Sequence, residues 1–207
     1  MIKFLYIRLP FTKIKVSLSA IIVTGALFYA DFSVYTLIVL LSAVLHEAGH
    51  IIAMKLCGAK IRSITVLPFG AVIDSDTPAL SYGRDAVISL AGAAVNLICA
   101  LFGWVFFLLI NNIYIAFFCI CNLFLAGVNL LPVKTLDGGR ALEALLSMCV
   151  PVYKVQNYIE AASFISFAVL AAASFALLSA TGCNLSLTVV FVYLYICVYV
   201  KGEDVTA

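Results

Sequence analysis

The sequence predicts an all-α polytopic membrane protein of about six transmembrane helices, with a short β-hairpin-like segment near residues 61–73. Three observations carry this. Hydrophobic residues make up 65% of the chain and charged residues 11%, where a soluble domain carries about a quarter, and mean hydropathy is +1.20. Apolar runs approaching the ~20 residues of a helical span recur six times. All 12 Lys and Arg residues fall in alternate loops between those runs.

The runs follow in order. The first, residues 16–30, is ended by Asp31; basic residues precede it, but no small-residue cleavage site does, so it reads as a retained span. The second covers residues 32–56 and the third 86–110. Asn111 and Asn112 separate the third from the fourth, residues 113–131. The fifth covers residues 159–180, and the turn from Thr181 to Asn184 separates it from the sixth, 185–200. Between the second and third spans lies IRSITVLPFGAVI, residues 61–73. Its β-branched residues flank Pro68, Phe69 and Gly70, the pattern of two short strands about a turn.

The cations then give an orientation. Lys3, Arg8, Lys13 and Lys15 precede the first span; Lys55, at the very end of the second, and Lys60, Arg62 and Arg84 mark the side between the second and third; Lys134, Arg140 and Lys154 lie between the fourth and fifth; Lys201 follows the sixth. Positively charged loops stay in the cytoplasm, so both termini are expected there. A net charge of +2 gives no case for nucleic acid. The seven cysteines are scattered through apolar stretches without C-x-x-C spacing, and read as small buried hydrophobes.

The chain has two histidines, His46 and His50, in Leu45-His46-Glu47-Ala48-Gly49-His50. On a helix, residues four apart share a face. Two imidazoles so placed bind one zinc ion, and Glu47 between them serves as general base toward water. Lys55 lies five residues on, which puts the pair roughly 7–14 Å below the cytoplasmic boundary. A carboxylate at that depth costs a few kcal/mol unless a cation offsets it.

Catalytic zinc takes three protein ligands and keeps a position open. No third histidine exists. Asp137, in Asn129-Leu130-Leu131-Pro132-Val133-Lys134-Thr135-Leu136-Asp137-Gly138-Gly139-Arg140, follows the fourth span on the side of the histidine pair. Spacing leaves it two readings: zinc ligand, or N-cap of a helix beginning near Gly138.

HEAGH in a span followed by NLLPVKTLDGGR resembles the site-2 protease family of intramembrane metalloproteases. LPFG after the histidine helix and NLLP before LDGG are most similar to the stage IV sporulation protein FB group. The resemblance implies that His46, His50 and Asp137 bind one Zn2+ per chain and that Glu47 is the base. It implies roles near the substrate for Asn129, Phe69, Gly70 and Asn96. It departs from the group at Thr135, where relatives have Pro, at Ala71 after Gly70, and at Ala93, where many have Gly-Pro-x-x-Asn against Gly92-Ala93-Ala94-Val95-Asn96 here. Gly92 to Ala94 also read as small residues that let helices approach.

The expectation is one membrane-embedded metalloprotease domain, residues 1–207, without the C-terminal regulatory domain of better-known members. It would sit in a bacterial cell membrane with its active-site opening toward the cytoplasm. It would cleave a membrane-associated protein, such as a transcription-factor precursor or its regulator, under the control of membrane inhibitor or regulator proteins. The rival reading is a metal or proton transporter with a cytoplasmic-side metal site.

Overall fold

The computed structural model describes residues 4–8, 13–67, 70–75 and 81–181. The expected sixth span, residues 185–200, and the turn residues Pro68 and Phe69 lie outside them. The described residues form six helices and four strands, in the order β1(Phe4–Arg8), β2(Lys13–Ser17), α1(Leu18–Ala30), α2(Val34–Leu56), β3(Ile61–Leu67), β4(Gly70–Ser75), α3(Tyr82–Ile110), α4(Ile113–Asn129), α5(Asp137–Cys149) and α6(Val152–Thr181). The chain divides into two compact units, residues 1–128 and 129–207.

In the first unit the expected hairpin is half of a larger sheet. The four strands lie in the order β1-β2-β3-β4. β1 and β2 pair antiparallel, β2 and β3 parallel, and β3 and β4 antiparallel with Ile64 opposite Ile73 and Thr65 opposite Val72. The parallel step is closed by α1 and α2, the crossover a parallel pair requires. Residues 16 and 17, expected to open the first span, end β2 instead. There Ser17 is fully buried and its Oγ accepts from Ala20 N–H at 3.1 Å, capping α1.

α2 and α3 meet through small residues. The buried face of α2 is Ser42, His46, Gly49, Ala53 and Met54, at helical spacing. That of α3 is Ala86, Ser89, Gly92, Ala93, Asn96, Ala100 and Gly103. A Cβ at Gly49 would stand 2.7 Å from Ala91 O, so the backbones touch where these glycines lie. α4 joins them with Cys119, Asn122 and Ala126 buried; a Cβ at Gly103 would stand 2.8 Å from Cys119 Sγ.

In the second unit α5 and α6 pack together. α5 is a separate amphipathic helix of 13 residues that the sequence reading did not resolve. Leu136 holds the cap position, and Asp137 opens the first turn, so Asp137 is not the N-cap. Val133 is fully buried and packs with Phe167.

Three helices among the described residues are long and apolar enough to cross a membrane: Val34–Leu56, Tyr82–Ile110 and Val152–Ala176. Their outward residues are large and apolar, among them Leu101, Phe102, Val105, Phe106, Leu108 and Leu109 on α3. Surfaces of that extent belong in lipid rather than water. α1 and α4, expected as spans, have 13 and 17 residues.

Candidate metal centre

Helical spacing puts His46 and His50 one turn apart on the α2 face that meets α3. Their Nε2 atoms stand 3.2 Å apart. Each ring is held by its other nitrogen. His50 Nδ1 lies 2.8 Å from Ile88 O. A carbonyl only accepts, so the proton of neutral His50 sits on Nδ1 and Nε2 carries the lone pair.

His46 reaches the same state through a side chain. Its Nδ1 lies 2.7 Å from Asn96 Oδ1. The amide orientation of Asn96 follows from its surroundings, because Asn96 Nδ2 donates to Ser42 O at 3.2 Å and to Asn122 Oδ1 at 2.8 Å. With the NH2 end committed to two acceptors, the oxygen faces His46 and fixes the proton on His46 Nδ1. Asn96 is fully buried, and no buried side-chain nitrogen or oxygen among the described residues lacks a partner.

Two lone pairs therefore point toward each other at 3.2 Å. Neutral rings in that arrangement repel unless a cation sits between them. Tethering the far nitrogen of each ring to an acceptor is how metal-binding histidines are oriented and made more basic. The residues present fit a zinc ion. A thiolate-preferring metal is not indicated, since the donors on this face are imidazoles.

Gly92 leaves the space for this. A Cβ there would run into His50 Nε2 and lie 2.7 Å from His46 Cε1. Small residues at 92–94 were expected for helix approach; at Gly92 the neighbours that demand it are the imidazoles themselves. Glu47, partly buried, is one residue past His46 and three before His50, so its carboxylate leaves α2 beside the pair.

The other expected site residues are placed as follows. Asn129 is the last residue of α4 and partly buried. Gly70 opens β4 and pairs with Leu67, and Phe69 lies outside the described residues. Asp137 is the first residue of α5. The segment before it is folded back by short bonds, Val133 N–H to Leu131 O at 2.7 Å and Leu136 N–H to Val133 O at 2.8 Å. Lys134 N–H donates to Ser163 Oγ at 3.1 Å. A Cβ at Gly138 would meet Leu131 O at 2.6 Å, and one at Gly139 would meet Lys134 N at 2.8 Å. The Asp-Gly-Gly sequence is thus what lets this turn close, and it holds Asp137 at a defined point on a rigid helix end. Asn122 and Ser42 went unremarked in the sequence; neither belongs to a motif, and only their partners reveal them.

The fold and the H-E-x-x-H pattern on α2 define a membrane-embedded protein of the metallopeptidase kind. The chain belongs to peptidase family M50, whose model matches residues 34–113 and 110–173. It is 34% identical over 131 residues to a zinc metalloprotease of Methanocaldococcus jannaschii, an alignment covering 61% of this chain and 37% of that protein. The chain thus spans well under half the length of this relative. Among solved structures it is similar to a site-2 protease from Methanocaldococcus jannaschii, with a TM-score of 0.63, 27% identity, and 94% of this chain and 93% of that one covered.

Proposed function

We propose that this chain is an intramembrane zinc metalloprotease that hydrolyses peptide bonds in a membrane-associated protein. The observation that carries the reading is the pair of lone-pair Nε2 atoms 3.2 Å apart on α2, with Glu47 between them in sequence. Family membership and the solved relative support it.

His46, His50 and Asp137 are assigned as the ligands of one zinc per chain. Two imidazoles and a carboxylate are a ligand set that catalytic zinc takes while keeping a fourth position open. When bound, zinc supplies Lewis-acid polarisation of the scissile carbonyl and lowers the pKa of water. Glu47 accepts the proton of the attacking water and delivers it to the leaving amine nitrogen. Asn96 is assigned to orienting His46 rather than to the substrate. Asn129 is assigned to the substrate, as a hydrogen-bond donor to the peptide or the developing oxyanion.

A helical substrate has its carbonyls already hydrogen-bonded, so it must unwind before attack. β4 lies at one end of the sheet order, and an unwound strand would pair along Gly70–Ser75. By resemblance to the sporulation group, the substrate is a membrane-tethered transcription-factor precursor or its regulator, with membrane inhibitor proteins as further partners. The distribution of cations puts the termini and the opening of the site on the cytoplasmic side.

The test is purified protein in lipid vesicles with a model membrane peptide. Cleavage that stops on chelation and returns with zinc supports the reading. An intact peptide together with zinc carried across the vesicle wall would overturn it in favour of transport.

A further inference from the structure

The geometry points to Asn122 of α4 as a positioning residue for the metal centre: through Asn96 it sets which nitrogen of His46 carries the proton. The inference rests on the metal-site reading above and extends it by one layer, to a third helix that bears no ligand.

The chain of reasoning runs inward from groups with a single hydrogen-bonding role. Phe118 O, a carbonyl, only accepts, and Asn122 Nδ2 donates to it at 2.8 Å. Ser42 Oγ donates to Ile38 O at 2.9 Å, which leaves its lone pairs for Asn122 Nδ2 at 3.0 Å. Both donors of the Asn122 amide are thereby committed, and its Oδ1 faces Asn96. Asn96 Nδ2 must then point to Asn122 Oδ1, at 2.8 Å, and to Ser42 O, at 3.2 Å. The shorter of these two bonds is the one Asn122 supplies. Asn96 Oδ1 is left for His46 Nδ1, at 2.7 Å, so the proton sits on Nδ1 and the lone pair on His46 Nε2. Reversing either amide would set acceptor against acceptor, Asn96 Oδ1 against Asn122 Oδ1 or Asn122 Oδ1 against Phe118 O.

Asn96 and Asn122 are both 0% exposed. Water has no access to substitute for a lost partner, so an amide robbed of one leaves a buried N–H unpaired. A buried amide pair in an apolar bundle costs packing area that leucines would fill. Its orientation of a histidine 50 residues before Asn96 accounts for its presence.

His50 supplies an internal control, because its Nδ1 is tied to Ile88 O and not to this relay. With two histidines in the chain, the 15N spectrum of histidine-labelled protein contains two ring systems. In metal-free wild type with both rings neutral, each should show the Nδ1–H tautomer. Asn122→Leu should leave His50 unchanged and turn His46 into a tautomer mixture. Its zinc affinity, measured by competition with a chelator, should fall about ten-fold, the lower end for outer-shell partners. Asn122→Asp, whose neutral acid keeps an acceptor toward Asn96 and a donor toward Phe118 O, should restore both readouts. If Asn122→Leu disturbs both histidines through misfolding, Asn122→Ala repeats the test without added bulk. A single Nδ1–H tautomer at His46 and unchanged zinc affinity in the folded variant would overturn the proposal. The tautomer readout needs neither metal nor substrate, so it is independent of whether the protein proves to be a protease.

Discussion

His46 Nδ1 stands 2.7 Å from Asn96 Oδ1, and this contact between α2 and α3 fixes how the His46 ring is oriented. It frees His46 Nε2 to face His50 Nε2. Without it the His46 proton would be free to sit on the nitrogen a metal needs.

Removing the acceptor should therefore weaken metal binding more than folding. Asn96→Leu is expected to lower zinc affinity about 10–100-fold, the range for groups that orient metal ligands. Chelator competition on the purified protein checks this. An unchanged affinity would detach Asn96 from the site.

Gly92→Ala should empty the centre by a different route. The added carbon meets His50 Nε2 and lies 2.7 Å from His46 Cε1, so both rings must move off their acceptors. Zinc content per chain, read by plasma mass spectrometry, is expected to fall well below wild type. Overpacking of this kind costs about 1–3 kcal/mol, which thermal unfolding in detergent would register. Gly25→Ala is the control, since a Cβ there meets nothing within 4 Å.

How much of this was legible in the sequence differs by element. HEAGH stood out, because two histidines one helical turn apart with a glutamate between them are a local pattern. The hairpin at residues 61–73 was legible from β-branched residues about a proline. Its extension to β1 and β2 was not, because the pairing of β2 with β3 joins residues 50 apart, Lys13 with Ser63 through Val16 with Val66, and leaves no local mark. α5 was missed because its apolar face is interrupted too often to resemble a span, and only Pro132 and Pro151 bracket it. Asn96 was singled out, but its partner was invisible: the hydrogen bond to His46 joins residues 50 apart.

The role of Asp137 can be separated from a merely helical one. An acid in the first turn of α5 favours the helix dipole by a few tenths of a kcal/mol to ~1 kcal/mol. If Asp137 is the third ligand, Asp137→Asn should lower zinc stoichiometry sharply while changing the unfolding temperature little. Full zinc content in that variant would leave Asp137 as a helix-end acid only.

Metal exchange offers a spectroscopic view of the same donors. Cobalt(II) in place of zinc should give the visible d–d bands of a four-coordinate site with nitrogen and oxygen donors. His50→Ala should abolish them. A six-coordinate spectrum in the wild type would mean that the ion is held by water and not by this constellation.

The most direct test concerns Glu47. Zinc content and cleavage of a membrane peptide should be measured together on wild type and Glu47→Gln in lipid vesicles. The wild type should hold one zinc per chain and cleave. The variant should hold the same zinc and cleave at least about 100-fold more slowly, as loss of a general base requires. Undiminished cleavage by Glu47→Gln, or cleavage by wild type that survives complete removal of zinc, would contradict the account.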